Sequence, residues 1–152
     1  MNIDPQHLGT DLRLLDPFDH GDDRTSQGDL RSAIRQSIDQ IDLATISQVD
    51  NLEQALVLRF LTPRGALAGL GHPEYGSRLS TLIGELNSQS NRNRAKLYVL
   101  EALAQEPRIG QVFSVVVTTN RAASPTRIDI AISAEVAESK QVLNLVFPFF
   151  LG

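Results

Sequence analysis

The stretch GHPEYGSRL, residues 71–79, gathers His72, Glu74, Tyr75, Ser77 and Arg78 between glycines and a proline. A glutamate in such a setting could protonate a glycosidic oxygen, provided a second carboxyl flanks the cleft as base or nucleophile. Glu85, Glu101 and Glu106 are the candidate second carboxyls, and spacing selects none of them. His72 and Glu74 lie two apart across Pro73, which is not the helical HExxH zinc arrangement, and one imidazole makes no metal site. Ser77 lacks the G-x-S-x-G elbow, and no histidine follows residue 72 to complete a hydrolase triad in the usual order. Neither GxxxxGK[ST] nor GxGxxG occurs.

A structural role for this stretch has the stronger case. Gly71 and Gly76 permit unusual backbone angles and Pro73 stiffens the turn, while Tyr75 and Arg78 can anchor it on neighbouring helices. Gly71, His72, Pro73, Glu74, Tyr75, Gly76 and Arg78 are therefore expected to form a rigid corner. No catalytic, cofactor-binding or metal-binding residue is assigned. In EPRIG, Glu106, Pro107 and Arg108 stand where a helix turns into strands, and Arg108 can fix the junction by a bidentate carboxylate contact. Arg92, Arg94 and Lys96 start a helix, where cations oppose the macrodipole; a solvated face explains them most simply.

Bulk composition narrows the function classes. The 152 residues suit one domain, and the absence of cysteine excludes disulfides and thiolate chemistry. Fourteen basic against 18 acidic residues give a formal charge of -4, which argues against nucleic acid as a partner. No run approaches the ~18 apolar residues of a membrane span, and the N-terminus lacks signal-peptide character. Assembly in the cytoplasm, without direct membrane insertion, is expected.

Periodicity supplies the elements. Residues 1–45, Asp- and Gly-rich with a Pro, read as a largely extended acidic arm with short strands near DLRLL. A helix is predicted over 50–61, with Asp50 as N-cap, Glu53 at capping-box spacing and Pro63 as terminator. A second is predicted over 77–88, burying Leu79, Leu82, Ile83 and Leu86. A third spans 92–105, capped by Asn91 or Ser90 and stopped by Pro107. After Pro107 the period becomes 2, predicting strands over 111–120, 126–136 and 141–148. The fold class is therefore α+β, with helices on one face of a small, three-stranded antiparallel sheet and a domain over 46–152. The apolar FPFFLG end fits either an interior strand or an edge used for pairing with another subunit.

NLEQALVLRFLTPRG, GHPEYGSRL and EPRI, in that order, resemble the GPW/gp25 family of baseplate proteins, closest to the form in phage-tail-like contractile injection particles. The resemblance covers roughly residue 50 onward. It implies a non-enzymatic wedge component resident in the baseplate, with larger wedge proteins, the sheath protein and central spike or hub proteins as partners. It also implies that the C-terminal strands template the first sheath ring. Glu106, Pro107 and Arg108, and in the last strand Leu143, Leu145, Val146 and Phe147, would then contact partners. Truncation after Leu145 is expected to impair sheath initiation more than folding of residues 50–140, with some stability lost along with Phe147. Two alternatives stand beside this reading: a peptidoglycan hydrolase of a tail baseplate with Glu74 as its acid, and a peptide-docking adaptor.

Overall fold

The computed structural model describes residues 10–12, 32–35, 40–43, 45–119, 122 and 124–152, and the chain groups into two units, Met1–Gln54 and Ala55–Gly152. In the first unit, β1 (Thr10–Leu12) pairs antiparallel with β4 (Thr45–Ser47), and β2 (Ser32–Arg35) pairs with β3 (Gln40–Leu43). The Asp-rich segment around Asp22 lies outside the described residues.

Helix α1 (Gln48–Leu61) begins two residues before the predicted start, so Asp50 sits inside its first turn instead of capping it. In the second unit it contributes Leu56, Val57 and Phe60 to the core. Helix α2 (Gln89–Ala104) starts earlier than predicted because the cap is Ser88, whose hydroxyl accepts from the Asn91 amide at 3.2 Å. Ala95, Tyr98, Val99, Ala102 and Leu103 form its buried stripe, as their spacing predicts.

The helix predicted over 77–88 is absent. A single 3-10 turn, Leu79–Leu82, replaces it, and Ile83 is already extended. Gly84 then takes φ 92, a left-handed angle that ends the helical path. Leu79 and Leu82 are buried, but Ile83 and Leu86 are exposed, so half of the proposed stripe never reaches the core.

The sheet runs β5 (Ile109–Thr119), β6 (Arg127–Val136) and β7 (Val142–Phe150) in antiparallel order 5-6-7. In β6, Ile128, Ile130, Ile132, Ala134 and Val136 are buried and alternate with half-buried neighbours. Helix α2 packs on β5, and Phe60 of α1 stacks on Phe147 of β7 with centroids 5.2 Å apart and planes 11° off parallel. Helices thus cover one face of the sheet.

Leu143, Leu145, Phe147 and Phe149 of β7 are buried, and so is Leu151 beyond it. The Leu151 amide donates to the Thr126 carbonyl at 3.0 Å, while its own carbonyl accepts from Gly84. The tail is therefore core, and truncation after Leu145 cannot spare the fold. Bonds from Val136 N to Gln141 O and from Leu151 N to Thr126 O set the parity of the β6–β7 ladder. Odd-numbered β7 residues bond β6, and Val142, Asn144 and Val146 turn their amides to the other side. Pro148 belongs to the same outward set, so its missing N–H is lost from the outer edge and not from the ladder.

Candidate functional site

The chain leaving α1 is held by the segment that follows it. Ser77 N donates to Thr62 O at 2.8 Å, Arg64 N to Ser77 O at 2.9 Å, and Ser77 Oγ to Phe60 O at 2.5 Å. This brings the two backbones so close that a side chain on Gly76, at φ 105, would meet Thr62 O at 2.5 Å and Pro63 C at 2.9 Å. The glycine is required for that approach. GHPEYGSRL is thus clamped to the end of α1.

Side chains complete the clamp. Arg78 lies 4.4 Å from the centre of the Tyr98 ring and donates to Glu101 at 3.4 Å. Arg59 of α1 lies 4.5 Å from the centre of the Tyr75 ring. Glu74, on the exposed crest of the turn, pairs with Arg64. His72 and Pro73 are exposed beside it.

Glu106 is the centre of the charge network. Its side chain is 3% exposed and receives Arg108 Nε at 2.7 Å, Arg108 Nη2 at 3.2 Å and Arg59 Nη2 at 3.1 Å. The Arg108 backbone amide adds a fourth contact at 3.3 Å. Burial alone would push the Glu106 carboxyl up, but the Arg108 hydrogen bonds and charge, with the Arg59 charge, outweigh it and hold the pKa below the usual carboxylate range. The Arg108 guanidinium is correspondingly raised, chiefly by its hydrogen bond to Glu106. The bidentate junction expected of Arg108 is present, and its acceptor is Glu106 within the same motif. Arg59 was not among the candidate residues. Its position in an apolar helical stripe, one residue from Phe60, concealed the polar role.

These parts enclose an open depression of about 570 Å³ lined by Arg59, Gly71, His72, Pro73, Glu74, Tyr75 and Gln105. Glu74 is the carboxylate among them. Glu106 is buried and occupied by two guanidiniums, and Glu101 pairs with Arg78; neither lines the depression. Pro107 is exposed and Arg108 one-third exposed. Leu143, Leu145 and Phe147 spend their side chains in the core, leaving Val146, at 53% exposure, as the apolar side chain of that group open to solvent. Arg92, expected on a solvated face, instead donates to Asn87 O at 3.1 Å, Asn87 Oδ1 at 2.8 Å and Gln89 Oε1 at 2.9 Å. Among the described residues no group of three His, Cys, Asp or Glu is placed to hold a metal.

No protein-family model and no curated protein matches the chain. Among solved structures, it matches the crystal structure of a "putative tail lysozyme" from Geobacter sulfurreducens. The TM-score is 0.58 at 26% identity, over 68% of this chain and 90% of that one. The chain resembles a tail-associated protein. The match corrects the expectation of a purely structural, non-enzymatic wedge component that templates a sheath: the similar protein is described as an enzyme. The peptidoglycan-hydrolase alternative fits that likeness better.

Proposed function

We propose that this chain is a lysozyme-like component of a tail-type particle and engages the glycan strands of peptidoglycan at the depression rimmed by Glu74. The observation that carries the reading is the structural likeness to the tail lysozyme over two thirds of the chain. Within the tail proteins we assign it to the GPW/gp25 type. The three motifs behind that resemblance meet in one network, in which Arg59 of the first touches Tyr75 of the second and Glu106 of the third.

Hydrolysis requires a proton for the leaving oxygen and a base or nucleophile at the anomeric carbon. Glu74, engaged by Arg64, serves as the carboxylate; it replaces the acid role expected from sequence. His72, exposed on the same rim, supplies the proton donor. The glycosidic C–O bond breaks as the leaving oxygen takes that proton, and water, deprotonated at Glu74, adds its hydroxide to the anomeric carbon.

A second reading, glycan binding without cleavage, is favoured by one observation: the depression is lined by a single carboxylate, whereas glycosidases usually employ two. Release of soluble fragments from purified peptidoglycan by the pure protein distinguishes the readings. Turnover that disappears in Glu74→Gln supports the enzyme. Co-sedimentation with peptidoglycan without fragment release supports the binder. Failure of both assays removes the glycan assignment.

A further inference from the structure

Two guanidiniums, those of Arg59 and Arg108, converge on the one buried carboxylate of Glu106. One positive charge is left over. Arg108 is one-third exposed and can share its charge with water, but the Arg59 side chain is only 12% exposed. Of the Arg59 donors, Nη2 is taken by Glu106, and Nε is buried without a hydrogen-bond partner. A buried guanidinium hydrogen left unpaired is costly, and buried donors in folded proteins nearly always have a partner.

Arg59 also lines the open depression, beside the Tyr75 ring that supports its guanidinium plane. The one carboxylate of that lining, Glu74, is engaged by Arg64. Nothing in the lining therefore neutralises Arg59 from the open side. We infer that the depression is a carboxylate-binding subsite, in which Arg59 anchors an anionic group of the ligand and Tyr75 and Gln105 flank it. Small adjustment of the guanidinium on the tyrosine face turns its unused donors to the incoming oxygens, and the fork geometry suits a carboxylate. The inference rests on the glycan reading for the nature of the rest of the ligand: a sugar carrying a carboxyl substituent would be preferred to the same sugar without one.

N-acetylmuramic acid and N-acetylglucosamine differ by a lactyl carboxylate, and sodium acetate provides that charge without a sugar. Binding of each to the full chain is measured by amide chemical-shift titration. The subsite predicts affinity at least roughly tenfold higher for N-acetylmuramic acid than for N-acetylglucosamine, with shifts at Arg59, Tyr75 and Gln105. Arg59→Gln should erase the difference, and Arg59→Lys should restore part of it. Lys96→Gln, which removes one exposed charge elsewhere, should leave it intact. Thermal melts of the Arg59 variants identify loss of fold, and the wild-type comparison stands independently of them.

Equal affinity for the two sugars overturns the carboxylate anchor while leaving the glycan reading in place. Acetate binding at Arg59 with no binding of either sugar supports the anion subsite and removes the glycan reading. Absence of all three interactions overturns the inference, as does a muramic-acid preference unaltered in folded Arg59→Gln.

Discussion

Glu106→Gln tests the network at its centre. The substitution keeps the side-chain size but removes the charge and one of the two acceptor oxygens, so an amide NH2 is turned toward a guanidinium. Four contacts between 2.7 and 3.3 Å are weakened or lost. Breaking a buried ion pair by removing one partner costs roughly 3–5 kcal/mol. Arg108, 33% exposed, can turn its charge to water more readily than Arg59, 12% exposed. The cost should therefore fall near the low end, about 3 kcal/mol. For a domain of this size that lowers Tm by about 10 °C.

The pH dependence gives the same network an independent signature. Because the folded pKa of Glu106 lies below its unfolded value, its stabilisation is complete above the unfolded carboxylate range, near pH ~4.3, and is lost as pH falls through the folded value. Urea unfolding of both proteins at neutral pH and near pH 3 should show a difference that is full at neutral pH and shrinks in acid. A neutral-pH difference under about 1 kcal/mol, the worth of an ordinary hydrogen bond, would refute the assignment. So would a difference that acid leaves unchanged.

Gly76→Ala should cost at least ~3 kcal/mol, since strain at φ 105 adds to a backbone clash, while Gly71→Ala, at φ 86 in open space, should cost about 1–2 kcal/mol. Denaturant midpoints of the two variants check the order. Phe147→Ala, which removes the ring stacked on Phe60 at 1% exposure, should cost about 3–5 kcal/mol, and truncation after Leu145 should leave no cooperative thermal transition. Arg92→Ala should cost about 1 kcal/mol by calorimetry, because it releases the Asn87 loop and remains partly exposed.

Periodicity alone disclosed the α+β class, both long helices and all three long strands, since alternation of 2 against 3.6 residues follows directly from which side chains must be buried. The alternation in β6 and the buried stripe of α2 were legible residue by residue. The helix over 77–88 misled because Leu79, Leu82, Ile83 and Leu86 have helical spacing, but Gly84 takes a left-handed angle that spacing does not reveal.

The charge network was not. Glu106 and Arg108 stand two apart in sequence, so their pairing could be expected; the part played by Arg59, 47 residues from Glu106, could not. Nor could sequence tell that Tyr75 would support that arginine. Local backbone preference and burial period act over a few residues and leave their mark in the sequence. Which charge meets which, and where a guanidinium keeps unused donors, depends on chain segments far apart being packed together, and only the tertiary structure decided it.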